Sequence, residues 1–331
     1  ALGVLVSGFF LVKNLGLPGS MTVAAVMTAI IAVVVGVTIY LLRSAVLPGD
    51  GQQDISVSSE RVKADSAPAM DKESFVASRY FLVIAFVTGL ASLVYEISWI
   101  RMLSLVLSSS THAFELMLSA FIFGLAFGGY WIKRRIDQLE NPARFLAVIQ
   151  IVMGMFALST LVLYNHTFDF MQSILQVLSR TEEAYSVFNF SSHLIALAIM
   201  LPTTFCAGMT LPLITYTLIR QGNGEKSIGA VYASNTLGAI VGVFFAVHIG
   251  MPLLGLQYVV SFAAALDIAL GLVLLWYLST SVNKTKVSYV VAGCIVIFIS
   301  VNLLTNFDSY KMASGVYRHV QFLYCHLHHT Q

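Results

Sequence analysis

The chain has 331 residues, 58% of them hydrophobic and only 10% charged, with a mean hydropathy of +0.84. Soluble domains carry about 25% charged residues, so this composition excludes a water-soluble globule, and it excludes a disordered chain as well. The net charge of +2 excludes the basic excess of a nucleic-acid binder, and Cys206, Cys294 and Cys325 are too widely spaced for a disulfide framework or a zinc motif.

A helix crosses a bilayer with about 20 apolar residues. Charge-poor runs of that size fall at 22–42, 80–100, 113–132, 145–164, 192–205 (extendable to 219), 228–249, 258–278 and 287–304. Residues 1–12 read as the end of one more span; without an initiator Met or a basic n-region they do not read as a signal peptide. Between Lys226 and Lys284 the one charged residue is Asp267. The fold class expected is all-α: a polytopic transmembrane helix bundle of about eight spans plus a truncated one. Helices are demanded because lipid offers backbone polar groups no partner.

Basic residues sort the loops. Lys133, Arg134 and Arg135 follow the run at 113–132, Arg220 and Lys226 follow the run ending near 219, and Lys284 and Lys286 precede the last. The loops at 107–112 and 249–257 carry no Lys or Arg, and 165–190 carries only Arg180. By the positive-inside rule the basic loops are cytoplasmic. Residues 44–79 then form a flexible cytoplasmic linker, polar and punctuated by Pro48, Gly49, Gly51 and Pro68. If 287–304 spans, the tail 306–331 lies outside. In the loop 165–190, Phe168, Met171, Leu175 and Leu178 share one helical face and predict a short helix lying in the interface.

A partial internal repeat runs through the sequence. The stretch 1–12 matches 236–247 at Leu2/Leu237, Gly3/Gly238, Val6/Val241, Phe9/Phe244, Phe10/Phe245 and Val12/Val247. After a gap Leu15-Gly16-Leu17 matches Leu254-Gly255-Leu256, and Gly36 matches Gly271. Residues 1–43 are thus expected to be the last two helices of a repeat whose earlier part lies upstream, in the parallel-repeat arrangement of transporter halves.

Small residues mark the packing faces. Ala120, Gly124 and Gly128 recur every four residues, as do Ala230, Ser234, Gly238 and Gly242, a spacing that lets helix backbones approach closely. Pro202 and Pro212 around 206–213 predict a broken helix or a re-entrant turn.

Charges within spans are costly and face a bundle interior or water. Four stand out: Glu96, Arg101, Glu115 and Asp267. Arg101 lies about 140° around the helix from Glu96, so each needs a partner on another helix. These carboxylates would bind a cation or relay protons; the plainer reading is structural hydrogen bonding between helices, with Glu115 at the water boundary. Asn235, in a small-residue helix, is expected to bond a neighbouring helix. His193 and His248 have no second ligand at helical spacing, and the tail Cys325-His-Leu-His-His329 offers no closed tetrahedral site, so no metal is expected. Gly222-Asn-Gly224-Glu-Lys226-Ser227 resembles a phosphate loop only superficially, lacking the glycine before its lysine. No cofactor site follows.

The stretch Gly89-Leu-Ala-Ser-Leu-Val-Tyr-Glu-Ile-Ser-Trp-Ile-Arg-Met-Leu103, with 109–129, Ala207-Gly-Met-Thr-Leu-Pro-Leu213, Tyr232-Ala-Ser-Asn-Thr-Leu-Gly-Ala239, Pro252-Leu-Leu-Gly-Leu256 and Ser314-Gly-Val-Tyr-Arg318, resembles the membrane region of bacterial spermidine-synthase-like proteins. In that family a major-facilitator-like multispan region precedes an aminopropyltransferase-like domain. The resemblance covers most of 80–318 and implies a multi-pass protein of the bacterial inner membrane. Tyr95, Glu96, Trp99, Arg101 and Asn235 fall on family positions without an assigned role. After Arg318 only thirteen residues follow, where the resemblance implies a Rossmann-like domain. The expectation is therefore a fragment lacking upstream and downstream parts, with residues 80–305 as the bundle, 306–331 as the start of the synthase-like domain, no catalytic residue, and no activity of its own. Three functions follow: a catalytically empty membrane region, a transporter-like module for a polyamine or related cation, or a membrane anchor.

Overall fold

In a computed structural model of the chain, residues 12–45, 72–107, 110–177, 182–222, 226–279 and 281–305 are described. Among them every regular element is helical. The helices are α1 (Val12–Ala45), α2 (Lys72–Leu107), α3 (Ser110–Lys133), α4 (Pro142–Val177), α5 (Glu182–Arg220), α6 (Lys226–Phe244), α7 (Gly255–Tyr277) and α8 (Ser281–Leu304). A π-helical segment, Phe245–Leu254, joins α6 to α7. Residues 1–11, 46–71 and 306–331 lie outside the described residues, and with them the expected truncated span, the tail and most of the expected linker 44–79; the linker's two ends are corrected, since residues 44–45 close α1 and 72–79 already form the start of α2.

Seven stretches are long and apolar enough to cross a membrane, one each in α1, α2, α3, α4, α5 and α8, and one running from Ser227 to Tyr277. This last has 51 residues, more than twice the length of a crossing. It supplies two crossings, because α7 runs antiparallel to α4 while α6 runs with α2. The chain is thus an all-α, polytopic bundle and a multi-pass membrane protein.

The chain divides into two units, Leu2–Glu73 and Ser74–Gln331. The first contains α1, which is apolar on all sides, with Met21, Val26, Ile30 and Val34 exposed, as a helix meant for hydrocarbon is. Its chain breaks at Gly16, with φ 68° and ψ 178°. In the second unit Gly255 opens α7 with φ 79° and ψ 166°. These two glycines are aligned by the sequence repeat, and both take a backbone conformation essentially closed to residues with a Cβ.

Contacts within the second unit set the helix directions. Leu82, Phe86 and Leu90 of α2 meet Ser234, Gly238 and Gly242 of α6 in the same order, so these helices are parallel. Thr88, Trp99 and Met102 of α2 meet Gln150, Thr160 and Tyr164 of α4, again in order. Gly154 of α4 faces Ala264 and Ile268 of α7, while Gly271 faces Ala147 and Ile151, so that pair is antiparallel. One end of the bundle consequently gathers the basic residues. There Arg220 Nη1 donates to the Leu139 carbonyl at 3.2 Å, Arg134 and Arg135 lie over the rings of Tyr130 and Trp131 at 4.4 and 4.2 Å, Lys284 lies over Trp276, and Tyr80 meets Tyr277. Cations stacked on aromatic rings at one rim match the side-chain chemistry of a membrane–water boundary.

Two local expectations are corrected. The prolines do not break α5, which runs unbroken through Pro202 and Pro212. Hydroxyls along it bond back to the preceding turn, Thr204 Oγ1 to Met200 O at 2.8 Å and Thr210 Oγ1 to Ala207 O at 2.7 Å, and in a packed bundle such local adjustments carry a helix past proline. Nor do the described residues of 165–190 form a separate interfacial helix: α4 continues to Val177 and α5 begins at Glu182. At 36 and 39 residues these helices are roughly 54 and 58 Å long at 1.5 Å per residue, against a hydrocarbon core of about 30 Å. Phe168, Met171 and Leu175 of the amphipathic stretch thus belong to the part of α4 that follows its apolar span Pro142–Tyr164.

Candidate functional site

The site lies where α2, α4 and α7 meet. Positions 88, 95, 99 and 102 of α2 recur at helical spacing and form one inward stripe, Thr88, Tyr95, Trp99 and Met102, all buried. Each uses a polar atom across a helix boundary. Gln150 Nε2 donates to Thr88 Oγ1 at 2.6 Å, Trp99 Nε1 donates to Thr160 Oγ1 at 3.4 Å, and the Tyr164 hydroxyl donates to the Met102 carbonyl at 3.1 Å. The fourth contact reaches α7: the Tyr95 hydroxyl donates to Asp267 Oδ2 at 2.7 Å. Trp99 stacks on Tyr95 with ring centroids 5.4 Å apart, holding the phenol in place.

Asp267 is 0% exposed. Tyr95 is its hydrogen-bond partner, and Oδ1 finds none among the described residues. Gln150 Oε1 is likewise buried and unmatched there. On α7, Ala264, Asp267, Ile268 and Gly271 share one face; on α4, Ala147, Gln150, Ile151 and Gly154 share another. The two glycines press these faces together. A Cβ on Gly154 would stand 2.7 Å from Ile268 Cγ1, and one on Gly271 2.6 Å from Ile151 Cγ1. The two orphaned acceptors thus belong to facing stripes of one close helix pair.

The other residues singled out from the sequence are dispersed. Glu96, next to Tyr95, points off the inward stripe and is half-buried, and Arg101 is exposed. Among the described residues neither forms a side-chain hydrogen bond or an ion pair with the other. Glu115 lies on α3 and His193 on α5, but their side chains fall outside the description. His248 sits exposed in the π-helical segment with its ring 5.7 Å from that of Phe244. Asn235 of α6 lies against Gly89 of α2, where an added Cβ would strike its backbone carbonyl. Gly124 and Gly128 of α3 meet Thr204 and Phe205 of α5, and Gly208 of α5 meets the Leu125 carbonyl. Ser234 Oγ donates to the Leu82 carbonyl at 2.7 Å, and Gly238 and Gly242 meet the carbonyls of Phe86 and Leu90. Among the described residues no three His, Cys, Asp or Glu side chains come together as a metal group.

Sequence reasoning passed over Gln150 and Gly154, and read Gly271 only as the repeat match of Gly36. Gln150 is the one amide in the 145–164 run, and an amide side chain within a span was a usable signal. The pairing of Tyr95 with Asp267, 172 residues apart, had no local signal. A search of protein families, of curated proteins and of solved structures finds no match to this chain.

Proposed function

We propose that the chain is the membrane region of a spermidine-synthase-like protein of the bacterial inner membrane, and that it works as a transporter-like module for a polyamine or a related small cation. The observation that carries the reading is Asp267: a carboxyl with no exposed surface, on a mid-bundle helix, hydrogen-bonded to a neutral phenol from another helix. An ionisable group in the apolar core of a bundle is expensive and marks substrate or ion pathways. The aromatic pair Tyr95 and Trp99 beside it supplies the ring faces that favour organic ammonium groups. Both belong to the 89–103 motif that resembles the family. The basic, aromatic-capped end of the bundle is the cytoplasmic one, and the linker that leads into α2 lies on that side.

A membrane anchor is the second reading, favoured by the interlocked glycine contacts of α3 with α5 and α2 with α6, which hold the bundle together without a ligand. Flux decides between the two. Proteoliposomes carrying the full chain are loaded with labelled spermidine; the module reading expects flux that falls to the level of empty vesicles in Asp267→Asn, while the variant still inserts and elutes like the parent. No flux above empty vesicles in either leaves the anchor; equal flux above that level in both keeps a transporter and removes Asp267 as its site.

A further inference from the structure

We propose that Asp267 holds a proton while the bundle is closed and gives it up in exchange for a small organic cation, so that cation movement is coupled to proton movement in the opposite direction. The inference rests on the transporter-like reading above and names its coupling ion. Burying an ionised carboxylate without a countercharge is strongly disfavoured. Asp267 has no countercharge among the described residues. Tyr95, which faces it from α2, gives one hydrogen bond and no charge. Of the other titratable groups on the elements around α7, Tyr164 of α4 donates to the Met102 carbonyl and Cys294 of α8 is buried in the same apolar core. Glu96 is half-buried, and Arg101 and His248 are exposed. The lysines and remaining arginines of these helices lie at the basic end.

The carboxyl is therefore neutralised in one of two ways, by a bound proton or by a bound cation. Its two oxygens divide the work. Oδ2 keeps the Tyr95 hydrogen bond in either state, and Oδ1, which finds no partner among the described residues, carries the proton or accepts from an ammonium N–H. In the exchange Asp–COOH and R–NH3⁺ become Asp–COO⁻ paired with R–NH3⁺, plus a released H⁺. For the one ammonium group that pairs with Asp267 the charge does not change, so the carboxyl itself is never left as a bare charge in the apolar core. The close contacts of Gly154 and Gly271 fall within about a turn of Asp267 on α7. They shut α4 onto α7 at the height of the carboxyl, so the cation enters only where these two helices part. Opening the site and losing the proton are then one event.

The full chain in lipid nanodiscs, in weakly buffered solution with a pH-indicating dye, is titrated with spermidine while binding is followed separately. One proton is expected to appear for each spermidine bound, with the release lost in Asp267→Asn and kept in Glu140→Gln, a change at an exposed connection. A hydrophobic carbodiimide, which reacts with protonated carboxyls in apolar surroundings, is expected to modify Asp267 in peptide mass spectra, more slowly when spermidine is present. Spermidine binding without proton release overturns the inference, as does an unmodified Asp267 in a chain that elutes as folded. Failure here separates from failure of the broader reading. Spermidine flux that needs Asp267 but moves no protons removes the coupling and keeps the transporter. Proton release on binding without any flux keeps the exchange and removes the transporter.

Discussion

Two glycines of α6 separate packing from helix propensity. At Gly238 an added Cβ would fall on the Phe86 carbonyl of α2, whereas at Gly229 it would meet nothing within 4 Å. Both lie in the same helix, so Gly→Ala lowers the unfolded-state entropy equally at each, a gain of about 0.5–1 kcal/mol. At Gly238 the obstacle is backbone, and no rotamer change relieves it. The axes of α2 and α6 must separate, which costs about 1–3 kcal/mol of overpacking. The move also stretches the Ser234–Leu82 hydrogen bond one turn away, a contact of a kind worth about 0.6 kcal/mol in membranes. Gly238→Ala is therefore expected to destabilise by roughly 1–3 kcal/mol net, and Gly229→Ala to be neutral or to stabilise by up to about 1 kcal/mol. Reversible unfolding by sodium dodecyl sulfate in mixed micelles measures both. Equal effects at the two sites, or a Gly238→Ala protein as stable as the parent, would refute the close approach of α2 and α6.

Other outcomes follow from the same geometry. A double-mutant cycle over Tyr95→Phe and Asp267→Leu is expected to return a coupling of about 0.6–1.7 kcal/mol, the range of buried hydrogen bonds in membrane proteins; single effects that add to within about 0.3 kcal/mol would mean the two side chains do not interact. Gly255→Ala has open space for its Cβ yet is expected to destabilise by about 1–3 kcal/mol, because φ 79° with ψ 166° is a glycine conformation. A neutral Gly255→Ala in the same micelle assay would show that the α6–α7 reversal does not depend on it.

The match between 1–17 and 236–256 gains a physical meaning from backbone geometry. Gly16 and Gly255 are aligned by their neighbours in sequence, and each takes nearly the same positive-φ conformation at the head of a long apolar helix. The aligned glycine is thus retained where the chain needs a conformation other residues resist. Gly36 and Gly271 do not share a setting in the same way: a Cβ on Gly271 would strike α4, whereas one on Gly36 meets nothing within 4 Å.

What the sequence by itself determined is the solvent of this protein and the class of its fold. With 58% hydrophobic residues in runs of about 20, backbone groups have no partner but one another, and helices follow. Small residues four apart were legible for a related reason, since a row of that spacing lies on one helix face wherever the helix goes. Which row meets which helix was not legible. Neither was the partner of Asp267: intramembrane polarity flagged Glu96, Arg101 and Asp267 alike, and the tertiary structure turned Asp267 onto Tyr95 and left Arg101 exposed. The hydrogen bond that distinguishes them joins residues 172 positions apart. Lipid does not by itself sort one apolar helix face from another, so that choice is made by side chains fitting together, and only the assembled bundle contains it.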